Sequence, residues 1–177
     1  MLVVDEVAAG KLSLEERFDI TNTSYEYKGE HDNYVAAFNG AMSIPDMQEY
    51  SLVYSENTPA YALAERLGGM DKAYSMFGRS KAKVKTISRE NKTTTDYYIQ
   101  VLEYLWNNQE KYKDILYFIG VSFPGEYYKR YLYDLTIYQK PGYVREALNV
   151  DAIVMEEKPY IVALYTAYLG GSTEASE

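Results

Sequence analysis

The turn Tyr54-Ser55-Glu56-Asn57-Thr58-Pro59-Ala60 is the most informative stretch of this chain. It opens a segment that ends at Gly68-Gly69 and carries apolar residues at helical spacing. Those apolar residues are Tyr61, Leu63, Ala64 and Leu67. The spacing predicts a helix, with Asn57 or Thr58 as its N-terminal cap. A hydroxyl, a carboxylate and a carboxamide therefore follow one another on a turn between two predicted helices.

Further helices are predicted on both sides of this turn. Ser43-Ile44-Pro45-Asp46 joins a capping residue to a proline in the first turn, which is typical of a helix start. Thr93 or Thr94 precedes a strongly amphipathic segment. The other predicted helical segments are residues 1–9, 70–77 and 109–119. Residues 21–40 are polar and predict a loop, with a short hairpin at Lys28-Gly29.

The sequence period changes after Pro124-Gly125. Residues 135–139, 147–156 and 160–168 are rich in Val, Ile and Tyr, which is typical of strands. Residues 156–159 predict the hairpin turn between the last two strands. We therefore expect one α+β domain over residues 1–177, mainly helical over 1–133, with antiparallel strands over 134–168 and a polar tail over 169–177.

Composition excludes several classes of protein. A chain of 177 residues with 47% hydrophobic residues can bury a sizeable core. The formal charge of −8 argues against a nucleic-acid partner, because such partners usually meet a basic face. The one basic cluster, at residues 79–85, has no interleaved aromatic residues and predicts a solvated loop. No cysteine is present, so the chain has neither disulfides nor a thiolate nucleophile.

Two features bear on membranes and export. No apolar run reaches the ~18 residues that a membrane span needs, so we expect no span. Residues 1–4 lack the basic start and the small-residue cleavage site of a signal peptide, so we expect no export signal in this chain.

The order of these motifs resembles that of class A β-lactamases and the related penicillin-binding transpeptidases. Residues 55–60, followed by Leu67-Gly68-Gly69, are similar to that family's Ser-Asp-Asn-Thr-Ala-Ala and Leu-Gly-Gly segment. Lys140-Pro141-Gly142 resembles its Lys-Thr-Gly strand, and residues 149–154 and 159–166 resemble the next two strands. The resemblance implies a serine hydrolase fold with a helical subdomain and an antiparallel sheet.

The resemblance also implies roles for five residues. Ser55 would relay a proton to the leaving nitrogen, and Asn57 would bind the substrate amide. Lys140 would supply positive charge for the substrate carboxylate. Gly142 and Tyr143 would bind substrate, with the backbone N–H of Tyr143 as one oxyanion donor. The implied substrates are β-lactams or peptidoglycan peptides.

Several features depart from the family pattern. Glu56 replaces an aspartate, and Pro141 replaces a hydroxyl residue. The nucleophile motif Ser-x-x-Lys is not found before Ser55. The formal match at residues 80–83 lies in a polar stretch and is interpreted as chance, and Glu90 as a solvated carboxylate. By the resemblance, the chain would be an inner fragment that lacks the N-terminal strands, the nucleophile and the C-terminal helix, and would be inactive alone.

The remaining expectations concern alternatives and partners. The triplet at residues 55–57 could be an ordinary helix N-cap, and the chain could be a non-catalytic module that binds cell-wall peptide or a protein. We expect no cofactor and no metal, and we interpret His31, the only histidine, as a surface loop residue. An open edge at residues 160–168 would favour self-association. The full-length family member would be extracytoplasmic or secreted.

Overall fold

The computed structural model describes residues 1–73, 93–144 and 146–169. The chain divides into two compact units, Met1–Phe77 and Gly78–Glu177. The first unit contains α1 (Leu2–Ala8), β1 (Arg17–Asp19), α2 (Lys28–Ala37), β2 (Ala41–Ser43), α3 (Ile44–Val53) and α4 (Asn57–Arg66). The second contains α5 (Thr95–Asn107), α6 (Lys113–Val121), α7 (Tyr128–Tyr131), β3 (Thr136–Val144), β4 (Ala147–Met155) and β5 (Tyr160–Tyr165). That residues 1–177 form one domain stays a prediction.

The start of α3 has the cap that its sequence predicts. Ser43 Oγ accepts a hydrogen bond from the N–H of Asp46 at 3.2 Å, and the Asp46 carboxylate accepts one from the N–H of Ser43 at 3.1 Å. This reciprocal capping box satisfies backbone donors that a helix start leaves unpaired. Ile44 and Met47 are fully buried behind it, so the cap and the core of the first unit fix the same helix.

The predicted loop and hairpin around Lys28-Gly29 are wrong, because this segment begins helix α2. His31 on this helix is buried rather than on a surface loop. Its Nε2 lies 3.0 Å from the carbonyl oxygen of Ile20, and its ring contacts that of Tyr25. The helix packs against α4 although its sequence has no clear apolar stripe. Tertiary contacts therefore decide the secondary structure of this segment, which its local sequence pattern leaves open.

The second unit holds the predicted antiparallel sheet, in the strand order β3-β4-β5. Ile137, Ala152 and Val154 form a buried cluster on one face. Helix α6 packs against β3, and α5 packs against β5. Strand β3 continues to Val144, five residues beyond its predicted end, because each added residue pairs with β4 up to Val144 opposite Ala147. The segment from Lys140 to Tyr143 is therefore strand, as its resemblance to the Lys-Thr-Gly strand implies.

Helices α5 and α6 of the second unit begin close to their predicted positions, whereas the short helix α7 was not predicted. Thr94 caps α5, accepting a hydrogen bond from the N–H of Tyr97 at 3.3 Å, as one of the two predicted alternatives. Helix α6 begins at Lys113, four residues later than predicted. Together the two units confirm the α+β fold class. No helix in the part of the chain that the structure describes has the length and apolar character of a membrane span.

Candidate functional site

Ser55 lies on the tight turn that joins α3 to α4. Its side chain is exposed and its backbone φ is +61°, in the left-handed region that L-residues other than glycine rarely adopt. Holding a serine there costs roughly 1–2 kcal/mol relative to a right-handed conformation. Such backbone strain concentrates at functional sites, where surrounding contacts impose it. The turn thus holds the Ser55 hydroxyl at the surface at an energetic cost.

The cap of α4 comes from another helix. The predicted caps, Asn57 and Thr58, are wrong: the N-cap residue is Glu56, and its side chain makes no cap hydrogen bond. The carboxylate of Glu30, on α2, instead accepts a hydrogen bond from the N–H of Thr58 at 2.6 Å. An ordinary N-cap therefore does not account for the Ser-Glu-Asn triplet. Asn57 is half-buried on the first turn of α4.

The carboxylate of Glu56, at this turn, is repelled by that of Glu30 on α2. Burial raises the pKa of Glu56, and the neighbouring carboxylate of Glu30 raises it further. Because Glu30 holds the start of α4 and also repels charge on Glu56, the turn is coupled to α2 both by a hydrogen bond and by charge.

An aromatic cluster joins the end of α2 to α3 and reaches the Ser55 turn. The rings of Tyr34 and Phe38 each meet that of Tyr50 edge to face, with centroids 5.4 Å apart. The ring of Tyr50 in turn contacts that of Tyr54, which is 56% exposed beside Ser55. Edge-to-face packing of this kind fixes ring positions. The Ser55 turn is therefore bordered by an exposed, supported aromatic ring.

Lys140 lies in the middle of β3 with its amine in a largely dry environment. Its Nζ donates to the carbonyl oxygen of Pro141 at 3.0 Å and lies 5.4 Å from the centroid of the Phe123 ring. Burial lowers the pKa of Lys140 to about 8. Pro141 is buried, whereas the next two residues, Gly142 and Tyr143, are exposed. Lys140 therefore presents a positive charge at neutral pH, next to exposed strand backbone.

Asp151 lies directly opposite Lys140 in the pairing of β3 with β4. The Tyr165 hydroxyl donates to its Oδ2 at 3.0 Å, while Oδ1 is buried with no hydrogen-bond partner among the described residues. Burial raises the pKa of Asp151 to about 7. Sequence reasoning missed this carboxyl, although a single acidic residue within the apolar run of β4 was a usable signal.

The five predicted site residues fall into two groups. Ser55 and Asn57 share one turn in the first unit. Lys140, Gly142 and Tyr143 share one strand in the second. That the two groups form one site stays a prediction. Residues 80–83 and Glu90 lie outside the described residues, as do the basic cluster at 79–85 and residues 170–177 of the tail.

The described part of the chain offers no cluster of metal ligands. Across residues 1–73, 93–144 and 146–169, no three His, Cys, Asp or Glu side chains come together so as to hold a metal ion.

Comparison with known protein families gives a match over the whole chain. The model of the beta-lactamase enzyme family matches residues 1–177. A comparison with curated proteins found no match.

Solved structures similar to this chain are class A β-lactamases and related β-lactamases. The class A enzyme of the last common ancestor of Gram-negative bacteria gives a TM-score of 0.83 at 19% identity, covering 99% of this chain and 74% of that one. The enzyme from Xanthomonas campestris gives 0.77 at 17% identity, covering 98% and 73%. That from Burkholderia vietnamiensis gives 0.74 at 20% identity, covering 99% and 72%. The chain therefore has the class A β-lactamase fold.

Proposed function

The chain belongs to the beta-lactamase enzyme family, and we propose that it is a serine acyl hydrolase domain acting on β-lactams or cell-wall peptides. The observation that carries this proposal is the match of the family model to the whole chain. In the proposed site Ser55, Asn57 and Lys140 act on the substrate, and Gly142 and Tyr143 bind it along the strand. Acyl transfer needs a proton relay and stabilisation of developing negative charge, and these residue types can supply both.

The geometry of the Ser55 turn supports a proton-relay role. The hydroxyl is exposed on a strained backbone, and the cap of α4 is provided by Glu30, so the side chains of residues 55–57 are not accounted for by capping. A strained, exposed serine next to a half-buried carboxamide is a suitable place to meet a substrate amide.

The environment of Lys140 supports a role in anion recognition. With a pKa of about 8, its amine is largely protonated at pH 7, and its half-buried position strengthens attraction to a substrate carboxylate. The backbone N–H of Tyr143, an exposed residue on the same strand, is the proposed oxyanion donor.

Binding of benzylpenicillin, followed by NMR shifts of backbone amides, tests the site directly. We expect saturable binding that Ser55→Ala and Lys140→Ala each weaken. Matched controls are Ser51→Ala, one helical turn earlier, and Lys158→Ala on the β4–β5 hairpin, both of which should bind normally. Binding that neither site variant weakens would contradict the proposed site.

Covalent chemistry is tested separately. Within residues 1–177 the pattern Ser-x-x-Lys occurs only at residues 80–83, so we expect neither nitrocefin hydrolysis nor labelling by fluorescent penicillin from these residues alone. A protein extended upstream of Met1 and carrying Ser-x-x-Lys should do one or the other. If it does neither, the hydrolase proposal fails.

A non-catalytic binding module is the second candidate, and Pro141 favours it. Pro141 lacks both the hydroxyl and the N–H of the family's usual residue. Its carbonyl oxygen also accepts a hydrogen bond from the Lys140 amine. This candidate predicts saturable binding of muropeptides without covalent labelling, even in the extended protein.

The free edge of β5 underlies a proposal about assembly. Within the described residues β5 pairs only with β4, and Tyr160 and Leu164 on it are 40% and 52% exposed. We propose that this edge favours self-association. Size-exclusion chromatography over a range of concentrations tests it, and a single monomeric peak throughout would contradict it. We also propose the extracytoplasmic or secreted location of the family, which cell fractionation of the native host tests.

A further inference from the structure

The loop beside Lys140 carries unusual backbone strain. Between the end of α6 and the start of α7, Phe123 has φ +45° and Tyr127 has φ +52°, with Gly125 at +74° between them. Glycine adopts this region freely, but the two aromatic residues do not, at a cost of roughly 1–3 kcal/mol each. Two strained aromatic residues in the loop of residues 122–127 need a physical cause.

Buried polar contacts hold this loop in place. The side chain of Gln139, fully buried on β3, donates from Nε2 to the carbonyl oxygens of Phe123 at 3.4 Å and Glu126 at 3.0 Å. Ser122 Oγ donates to the carbonyl oxygen of Gln139 at 2.8 Å. The residue that clamps the loop is thus the immediate neighbour of Lys140 in the chain.

The clamped loop places an aromatic ring against the Lys140 amine. The Phe123 ring centroid lies 5.4 Å from Nζ, within the range of a cation–π contact. The Tyr127 ring meets the Phe123 ring edge to face, with centroids 5.6 Å apart, and this packing supports the Phe123 ring. The strained loop conformation therefore fixes the face of the Phe123 ring against the Lys140 amine.

A second half-buried lysine in the same unit shows a different arrangement. The Nζ of Lys129 donates to the carbonyl oxygens of Gly120 at 2.8 Å and Ser122 at 2.6 Å, at the end of α6. Those carbonyls keep its ammonium as a structural cap. The Nζ of Lys140 donates to the carbonyl oxygen of Pro141, and the Phe123 ring attracts the same ammonium without taking up a further N–H donor.

We propose that Phe123 is a positioning residue for Lys140. The Phe123 ring holds the Lys140 ammonium where the ammonium can bind an anionic group of the substrate. This inference rests on the proposed function, in which Lys140 recognises a carboxylate. The ring favours the charged amine and offsets part of the burial that favours the neutral one. Titratable side chains also lie on every element that neighbours β3: Asp151 on β4, Lys113, Asp114 and Tyr117 on α6, Glu126 and Tyr127 in the loop, and Tyr128, Lys129, Arg130 and Tyr131 on α7.

The pKa of Lys140, measured by NMR titration of lysine labelled with ¹³C at Cε and assigned with Lys140→Arg, tests the proposal without any substrate. Pentafluorophenylalanine in place of Phe123 keeps the ring's shape but removes its attraction for a cation. It should lower the pKa of Lys140 by roughly half a unit or more, since a cation–π contact contributes about 1 kcal/mol. Phe123→Ala admits water and should raise the pKa. Shifts of opposite sign separate the ring's charge distribution from simple burial.

Two further variants complete the test. The same fluorinated residue in place of Phe118, on α6, should leave the pKa of Lys140 unchanged. Gln139→Leu removes the clamp, so adding the fluorinated ring to it should give little further change. A pKa that the fluorinated ring at position 123 does not move overturns the positioning role, even if benzylpenicillin binds. A shifted pKa in a protein that binds no benzylpenicillin leaves the positioning role standing and overturns the proposed function.

Discussion

The Ser55 turn and the Lys140 strand each fix the position of a side chain, but the backbone strain lies in different places. At the turn the side chain of Ser55, a proposed site residue, is exposed and its own backbone is strained. On the strand the side chain is half-buried and its own backbone is regular, while the strain lies in the neighbouring loop at Phe123 and Tyr127. In both regions a side chain of another segment bonds backbone at or near the strain: Glu30 accepts from the N–H of Thr58, and Gln139 donates to the carbonyl oxygens of Phe123 and Glu126.

This difference follows from the two kinds of secondary structure. A strand positions a side chain by its ladder of hydrogen bonds, so its environment must be supplied by another segment. A turn between helices has no ladder, so the backbone conformation itself must carry the position. The supporting residues Glu30 and Gln139 therefore need testing as much as the proposed site residues Ser55 and Lys140.

The largest expected effect tests whether the two regions depend on each other. Ile44 and Ile137 are buried in the cores of the first and second units. Ile44→Ala and Ile137→Ala should each lower the free energy of unfolding by roughly 2–5 kcal/mol, through lost burial and an unfilled cavity. Hydrogen exchange followed by mass spectrometry gives the measurement.

If residues 1–177 form one domain, either substitution should reduce amide protection in both units. Loss of protection confined to the unit that carries the substitution would contradict the single domain. Tyr133→Ala, at an 87% exposed position, is the control and should change stability little.

The next effect sharpens the electrostatic contrast. The pKa of Asp151 rises from its ordinary 3.8 to about 7, so the folded state binds a proton that the unfolded state has lost. Stability should therefore fall as pH rises from about 4 to 7, by at most about 4 kcal/mol at about 1.36 kcal/mol per pKa unit. Asp151→Asn should abolish this fall in urea unfolding at pH 5 and pH 8.

Lys140 should change the pH dependence of stability in the opposite direction, over a higher pH range. Its pKa falls from 10.5 to about 8, so the unfolded state holds the proton longer and stability should rise with pH between about 8 and 10.5. Lys140→Met should flatten that rise. A difference curve of the wrong sign for either variant would contradict the burial of that group.

A smaller effect concerns the support of the turn. Glu30→Ala removes the cap of α4 and should cost about 1–2 kcal/mol in urea unfolding. It should also lower the pKa of Glu56 in a ¹³C NMR titration, because the repelling carboxylate is gone. Glu49→Ala, on the exposed side of α3, should do neither. An unchanged stability in Glu30→Ala would show that α4 does not depend on this contact.

The smallest effect has the opposite sign. Ser55→Gly relieves the left-handed strain and should stabilise the protein by about 0.5–1 kcal/mol while it weakens benzylpenicillin binding. Ser51→Gly, inside α3, should instead destabilise by about 1 kcal/mol and leave binding unchanged. A Ser55→Gly protein that is less stable than the parent would show that backbone strain at the turn is outweighed by contacts of the serine side chain.

Sequence patterns predicted the capped starts of α3 and α5 and the three strands, because those signals are local. They missed helix α2, whose stripe is weak, and the true cap of α4, which Glu30 supplies from 28 residues away. They marked Pro124-Gly125 as a break but not the strain on either side. The buried carboxyl of Asp151 and the clamp of Gln139 were equally hidden, because burial and partners arise only when distant segments pack.

By itself the sequence determined the α+β class, the helices α1, α3, α4, α5 and α6, the strands β3, β4 and β5, and the residue types of the candidate site, because capping, periodicity and turn composition act over a few residues. The tertiary structure alone decided the conformations and charges of that site. The left-handed Ser55, the lowered pKa of Lys140 and the raised pKa of Asp151 depend on which segments exclude water and which carboxylates approach. These properties are long-range consequences of packing, so a local sequence pattern does not predict them.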